Sequence, residues 1–159
     1  MLDDIDTQIL TVLRGNARMS NAELARTIGM APSAIFERIR KLEARGVILG
    51  YEARLDPGAV GLGMLAFVFV RAAERVGSLD TGRLLAEIPE AQEVHQIAGE
   101  DCYLVKLRVA DTADLGRILR ERFGNIPSVT ATRTTIALMT LKESAQLPLP
   151  GLDGEVGDG

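Results

Sequence analysis

The sequence lacks several residue types on which many protein functions depend. Its 159 residues include no tryptophan, one cysteine and one histidine. A single cysteine excludes a disulfide within the chain and is typical of a reducing cytoplasm. The longest apolar run, Met64–Val70, is too short to cross a bilayer, and the aspartates near the N-terminus are the opposite of a basic signal peptide. We therefore expect a soluble cytoplasmic protein with no membrane partner.

The sequence also offers little for catalysis or metal binding. His95 is the only histidine, and on a strand such a residue is more often a packed or surface group than a base. Cys102 lies near it in sequence, but a reactive thiol needs a shaped pocket and a lowered pKa. The acidic segment Asp3–Asp6 has no histidine or cysteine beside it. We therefore predict no catalytic residue, no metal site and no cofactor.

Residues 20–46 show the pattern of two short helices joined by a tight turn. Ser20 is a good N-cap, and Glu23 three residues later completes a capping box. Gly29 turns the chain at low steric cost, and Pro32 suits the first turn of the next helix. That helix has an apolar stripe at helical spacing, formed by Ile35, Ile39 and Leu42.

A small residue at Ala25, a glycine at Gly29 and an apolar anchor at Ile35 have the spacing of a helix-turn-helix. An αα-hairpin that binds no nucleic acid is the alternative. Cations on the second helix favour DNA, because phosphate contacts need them; they are Arg38, Arg40, Lys41 and Arg45. Apolar residues between Ile5 and Leu13 predict a further helix before this pair, so the last of three helices would read the DNA.

The net charge of −4 is unevenly distributed along the chain. Residues 1–54 carry eight Lys or Arg against seven Asp or Glu, whereas the remainder carries ten against fifteen. DNA binding needs a local basic face and not a basic protein. The small positive excess in residues 1–54 predicts that one subunit binds DNA with modest, salt-sensitive affinity. An assembly of several subunits would bind more tightly.

The second half of the chain predicts the element order β-α-β-β-α-β. Before it, Val47–Pro57 suits a short β-wing or a strand leading to a linker. The order gives a four-stranded antiparallel sheet with both helices on one face, and a partner subunit is expected to cover the bare apolar face. The predicted strands are Met64–Arg71, Gln92–Ala98, Cys102–Val109 and Val129–Leu141. The first helix is capped by Ser78 or Asp80 and runs through Ile88; the second is capped by Thr112 and stops at Gly124.

The whole arrangement resembles the Lrp/AsnC (feast/famine) transcriptional regulators over about residues 2–148. The matching segments are LDDIDTQIL, RMSNAELARTIGM, RIRKLEARGVILGY, AGEDCYLVKLRV and TRTTIALMTLK. The resemblance implies an α+β fold with a winged helix-turn-helix domain over 1–54 and a linker over 55–63. It further implies a ferredoxin-like α/β sandwich of the RAM type over 64–145, for oligomerisation and effector binding, and a partly disordered tail over 146–159.

The resemblance also implies the partners of the chain. They are double-stranded DNA, further copies of the chain and a small effector that is commonly an amino acid. The subunits would dimerise through the C-terminal sheets and assemble further into tetramers or octamers, and the protein would lie on the nucleoid. The implied activity is sequence-specific transcriptional regulation, which the effector modulates from subunit interfaces.

Carried over by position, the implied DNA contacts are Ser20, Asn21, Ser33, Ala34, Glu37, Arg38, Arg40 and Lys41. Two positions depart from the family pattern. Ala31 stands where serine is frequent, and Glu37 stands where arginine is frequent. Glu37 either accepts from cytosine N4 or pairs with a cation of its own helix. Arg38 either contacts DNA or pairs with the N-terminal aspartates.

The implied effector contacts are Gly99, Glu100, Asp101, Cys102 and Tyr103, together with Thr132 and Thr134. Many relatives have Tyr-Asp-Tyr where this chain has Asp101-Cys102-Tyr103, so the acid is shifted by one position. A plain β-turn with a half-buried cysteine is the alternative, and some family members respond to no small molecule.

Two other functions fit the same fold. A siroheme-decarboxylase-like enzyme would need to grip a large polyanionic tetrapyrrole, and the scarcity of histidine and tryptophan weighs against it. An architectural protein would wrap DNA with little sequence preference and no effector.

Overall fold

The computed structural model describes residues 2–149, which form two compact units. One unit comprises the residues up to Ala53 together with those from Glu143, and the other comprises Arg54–Lys142. The predicted tail over 146–159 falls mostly outside the described residues. No helix in the described range is both long and apolar enough to cross a bilayer.

The first unit contains three helices around a small apolar core. They are α1, Asp4–Gly15; α2, Asn21–Ile28; and α3, Pro32–Ala44. Side chains from all three helices are buried together, as the helical periodicity predicts: Ile9, Leu24, Ala25, Ile35, Ile39 and Leu42.

The ends of α2 and α3 confirm the predicted capping signals. The Ser20 side chain accepts from the Glu23 backbone N–H at 3.2 Å, and the Glu23 carboxylate accepts from the Ser20 N–H at 2.9 Å. Gly29 ends α2 with a φ of 80°, a left-handed conformation that favours glycine. Pro32 occupies the first turn of α3, and Ala31 before it gives no side-chain cap.

The expected β-wing over Val47–Pro57 is not formed in the described chain. The first strand begins at Met64, and no strand is assigned between it and α3. A strand needs a neighbour that pairs its backbone groups, and this segment has none assigned to it. Apolar side chains such as Leu49 and Leu55 are consequently exposed, at 93% and 69%.

The second unit contains the predicted four-stranded antiparallel sheet with two helices. Its strand order is β2-β3-β1-β4, so the first and third strands are central. The elements are β1, Met64–Ala72; α4, Asp80–Ala86; β2, Ala91–Gln96; β3, Tyr103–Val109; α5, Thr112–Glu121; and β4, Val129–Ile136.

Several predicted boundaries were wrong, among them the end of β2, which lies at Gln96 and not at Ala98. The helix α4 ends at Ala86 and not at Ile88, and its N-cap is Leu79 and not Ser78 or Asp80. The cap of α5 is Asp111, whose side chain accepts from the Asp114 N–H, and the helix ends at Glu121. The last strand stops at Ile136 and not at Leu141; beyond it, the Ala137 N–H still donates to the Leu65 carbonyl of β1.

The helices cover one face of this sheet. Alternate residues of β1 and β3 point to that face and form the core with α4 and α5. At one point the packing is very close: Gly82 of α4 lies against the buried ring of Tyr103, where an added Cβ would lie 2.6 Å from Cε1. The small residue therefore sets how closely α4 approaches β3.

We predict opposite effects for two matched Gly→Ala substitutions. Helix propensity alone would stabilise each variant by about 1 kcal/mol. Gly82→Ala forces the buried Tyr103 ring to move, so we expect the free energy of unfolding to fall by about 1–3 kcal/mol. Gly116→Ala in α5 meets only the flexible end of Arg120, and we expect no loss or a small gain. Denaturant unfolding followed by circular dichroism measures both, and equal effects would contradict this account.

Candidate DNA-binding and effector sites

One side of α3 presents polar and charged groups to solvent. Ser33, Glu37, Arg40 and Lys41 are exposed, and Ala34 is half-buried. The opposite side is the apolar stripe that packs in the core, so burial of one face fixes which residues face outward. The predicted contacts on α3 thus share one exposed surface, with Arg38 at its border.

Arg38 is bound to the first turn of α1. Its Nη1 lies 2.7 Å from Asp3 Oδ2 and 2.8 Å from Asp6 Oδ1. These bonds raise the pKa of Arg38. The pKa of Asp3 is lowered, first by the hydrogen bond from the Asp6 backbone and then by Arg38. The ion pair that the sequence left open as an alternative is therefore present.

Glu37 pairs with Arg40 on the exposed side of α3. The Glu37 carboxylate lies 3.0 Å from Arg40 Nη2, and both side chains are more than half exposed. Such an exposed pair contributes little, about 0.3–0.5 kcal/mol, so both groups can exchange their partner for a DNA group. Lys41 has no ion pair in the described part of the chain.

The start of α2 brings Ser20 and Asn21 to the surface. The Ser20 hydroxyl donates to the Glu23 carboxylate at 2.7 Å as well as capping the helix. These hydrogen bonds from Ser20 lower the pKa of Glu23. A helix N-terminus attracts anions, although here a carboxylate already occupies part of that position.

The loop between β2 and β3 is joined to the face of the sheet that lacks helices. Asp101 pairs with Arg133 of β4 at 2.9 Å, and Glu100 pairs with Arg71 of β1 at 3.4 Å. The Arg133 guanidinium also lies over the Phe69 ring, 4.0 Å from its centroid. Two acid–base pairs therefore join the loop to the central and edge strands β1 and β4.

Tyr103 lies in the core, away from that loop surface. Its side chain is buried and its hydroxyl donates to the Glu74 carboxylate. The other oxygen of Glu74 accepts from the Thr81 hydroxyl at 2.8 Å, and that hydroxyl lies 2.7 Å from the Ser128 hydroxyl. Tyr103 thus connects β3 with α4 and with the segment after β1.

Thr132 and Thr134 lie apart from the loop. They pair with Val70 and Val68 of β1 and share the helix-covered face with them. Arg133 between them points to the opposite face, where Asp101 lies. In a single chain β1 separates the two threonines from β3, a distance of about 10 Å across two strand spacings. The prediction that they join the loop stays a prediction, and it requires a second subunit.

The other chemically distinctive residues have ordinary partners. The Cys102 thiol contacts the backbone of Ala72, whose N–H lies 3.4 Å from the sulfur. His95 is exposed on β2, with its Nε2 3.2 Å from the Glu93 carboxylate. Neither arrangement assembles a nucleophile with a base.

The sequence reasoning did not select Arg71, Arg133 or Glu74. Strand alternation places Arg133 on the face opposite Thr132 and Thr134, and this was a usable signal. The partnership of Arg71 with Glu100 joins residues 29 positions apart, and no local pattern indicates it.

The chain matches known protein domains over most of its length. Residues 2–43 match the AsnC-type helix-turn-helix domain, and residues 65–147 match the Lrp/AsnC ligand binding domain. A curated relative, the HTH-type transcriptional regulator FL11 of Pyrococcus horikoshii, is 38% identical over 148 residues, which cover 93% of this chain and 97% of the relative.

Solved structures show the same fold. The transcriptional regulator NMB0573 of Neisseria meningitidis in complex with L-Met has a TM-score of 0.86 at 28% identity, covering 94% of this chain and 98% of that chain. The feast or famine regulatory protein of M. tuberculosis complexed with L-methionine has a TM-score of 0.84 at 35% identity, covering 92% of this chain and 99% of that chain.

We predict that Tyr103 ionises at a higher pH than an ordinary tyrosine and that the folded state loses stability when it ionises. Burial and the hydrogen bond to Glu74 raise its pKa to about 12, from 10.0. Because the pKa is higher in the folded state, this stabilisation is complete below pH 10 and is lost between pH 10 and 12. Ultraviolet tyrosinate absorbance and denaturant unfolding measure the two effects.

The control for this prediction is the second tyrosine. Tyr103→Phe should remove the later absorbance transition and flatten the loss of stability above pH 10, whereas Tyr51→Phe should retain both. A single tyrosine transition near pH 10 in the folded wild-type chain would contradict the prediction.

Proposed function

The chain belongs to the Lrp/AsnC family of DNA-binding transcriptional regulators, and we propose that it binds operator DNA as an assembly of several subunits under the control of an amino acid. The observation that carries the proposal is the exposed polar face of α3 beside the N-terminus of α2. Residues 1–54 would form the DNA-binding domain, joined through a linker at 55–63 to the effector and assembly domain at 64–145.

We assign the DNA contacts to the exposed side chains of this surface. Ser33, Ala34, Glu37 and Arg40 would face the base edges in the major groove, where an α-helix fits. Lys41 would contact a phosphate, and so would the start of α2 through Ser20 and Asn21. Opening of the Glu37–Arg40 pair would release a carboxylate for cytosine N4 and a guanidinium for guanine or phosphate.

The sheet face that lacks helices supports assembly with a second copy of the chain. Phe67 and Phe69 alternate with the core residues of β1 and are half-buried on that face, next to Leu104 of β3. After β4, Leu138, Met139 and Leu141 are exposed at 100%, 76% and 89%. Apolar surface of this kind typically marks an interface, and a dimer that grows to a tetramer or octamer would bury it.

We place the effector at the Gly99–Cys102 loop, and relatives that bind L-methionine support an amino acid there. The ammonium group would approach Asp101 or Glu100, and the carboxylate would approach Arg133 or Arg71. Both groups of the Arg71–Glu100 pair are more than half exposed, whereas the Arg133–Asp101 pair joins an exposed arginine to a carboxylate that is only 17% exposed. An exposed pair such as Arg71–Glu100 contributes about 0–1 kcal/mol, so a ligand that offers both charges can replace it, while the exposed Arg133 guanidinium can bind the ligand carboxylate beside Asp101.

The proposal also implies where the protein lies in the cell and that it is not an enzyme. A DNA-bound regulator lies on the nucleoid in the cytoplasm and carries out no catalytic step. The curated relative carries the name of a regulator, which supports binding over an enzymatic role.

We predict that substitutions on α3 separate phosphate contacts from base contacts. Lys41→Ala should weaken binding to all DNA sequences by a similar factor. It should also reduce the slope of log K against log salt by about 0.9 for each subunit bound. Arg40→Ala should weaken binding to the operator more than binding to random DNA. Glu37→Gln should strengthen binding to random DNA, because it removes a charge that repels phosphates. Fluorescence anisotropy with the DNA upstream of the gene, against a random duplex, measures these effects.

A charge-matched control is Arg83→Ala in the other unit, where an exposed arginine pairs with Asp80. It should leave DNA affinity and salt dependence unchanged. Lys41→Ala behaving like Arg83→Ala would contradict the assignment of α3 as the DNA-contacting helix.

We predict that Arg133 determines effector affinity. Arg133→Ala should weaken amino acid binding at least about tenfold, which corresponds to about 1.4 kcal/mol, and should leave operator affinity without effector intact. Isothermal titration with each amino acid, L-methionine first, measures the affinity. Arg83→Ala is again the control, and equal binding by both variants would contradict the placement of the site.

A further inference from the structure

The first turn of α1 holds α3 through a closed set of hydrogen bonds. Arg38 Nη1 binds Oδ2 of Asp3 and Oδ1 of Asp6. The two remaining carboxylate oxygens cap α1: Asp3 Oδ1 accepts from the Asp6 N–H at 2.7 Å, and Asp6 Oδ2 accepts from the Asp3 N–H at 3.5 Å. All four oxygens are thus engaged, and the helix cap and the link between helices are one structure, which we call the Asp3–Arg38–Asp6 clamp.

Arg38 occupies the border between the buried and exposed sides of α3. It lies three residues after Ile35 and four before Leu42, positions that share a helix face, and both of those residues are fully buried. The Arg38 side chain is 30% exposed and the Asp6 side chain only 11%. A charge-assisted hydrogen bond in partial burial is stronger and more directional than one at the surface. The clamp therefore constrains how α3 is rotated about its axis.

The charge of Arg38 is already balanced within the protein. Its guanidinium faces two carboxylates at less than 3 Å, and a phosphate that replaced them would leave two negative charges unpaired beside the DNA. Glu37, Arg40 and Lys41 have no such constraint, since their side chains extend from the exposed side. Arg38 thus differs from the other candidate contacts in what its release would cost.

We propose that Arg38 is a positioning residue for α3 and that Asp3 and Asp6 sustain DNA affinity through it. The inference rests on the proposed DNA contacts of α3 and deepens them. Two neighbouring carboxylates and an arginine more than 30 residues away would then act as one unit. The acidic N-terminal segment, which by charge alone opposes DNA binding, would promote it.

The sign of the effect distinguishes positioning from simple electrostatics. Removing an acidic charge near bound DNA ordinarily strengthens binding. If the clamp positions α3, Asp3→Asn and Asp6→Asn should instead weaken binding. Asn is as good an N-cap as Asp, so Asp3→Asn keeps the helix cap while it removes the charge that holds Arg38.

The chain offers a matched control one residue away. Asp4 lies exposed in the same first turn of α1, and Asp4→Asn makes the same change of charge without touching Arg38. Affinities of the full-length variants for the upstream DNA and for a random duplex are measured by fluorescence anisotropy at several salt concentrations. The unfolding temperature of each variant is recorded, and Asp3→Asn decides the comparison if Asp6→Asn does not fold.

We expect Asp3→Asn and Asp6→Asn to weaken binding about five- to tenfold with an unchanged salt slope, while Asp4→Asn binds as tightly as wild type or more tightly. Arg38→Lys, which keeps the charge but loses the paired geometry, should weaken binding to a similar extent. Arg38→Gln combined with Asp6→Asn should be no worse than Arg38→Gln alone, because both act on the same link.

Two results would overturn the proposal. Asp3→Asn binding as tightly as Asp4→Asn would show that the clamp does not affect DNA affinity. A fall of about 0.9 per subunit in the salt slope for Arg38→Gln would show a phosphate contact. The effect of Lys41→Ala on the same DNA is read separately, so that failure of the α3 contacts is distinguishable from failure of the clamp.

Discussion

β1 lies in the middle of the sheet, and its side chains alternate between two faces of which only one is covered by helices. Ala66, Val68 and Val70 point to the helices and are fully buried, whereas Phe67 and Phe69 point to the other face. Both helices pack on the same face of the four-stranded sheet and so leave its other face without helices. The core, the uncovered aromatic face and the position of the charged loop all follow from this constraint.

The uncovered face explains why the effector site and subunit assembly are proposed in the same place. Arg133 extends over Phe69 and reaches Asp101, so one side chain links the loop carboxylate to the aromatic surface. A second copy that packs on this surface would change the surroundings of the loop. A ligand bound there can therefore alter assembly, which is the coupling that an effector-controlled regulator needs.

In the unit that contains the helix-turn-helix, the positions of the charged side chains matter more than their net number. Its balance of eight cations against seven acids leaves little excess, and the structure shows that Arg38 and Arg40 have acidic partners. The exposed Arg40–Glu37 pair is weak and can open, whereas the Arg38 pair includes the mostly buried Asp6. Under the proposals made above, acids of equal formal charge differ in effect: Glu37 masks a proposed DNA contact, whereas Asp6 holds α3 in place.

The sequence by itself determined the local elements: the caps at Ser20 and Gly29, the buried stripe of α3 and the order of strands and helices, since these depend on neighbours within a few residues. Only the tertiary structure decided which distant charges pair, such as Arg133 with Asp101. It also decided that the buried Tyr103 hydroxyl donates to Glu74 and that β4 stops at Ile136. Such features join residues far apart in the chain. Their energies depend on which atoms packing brings together, and no short-range pattern records that.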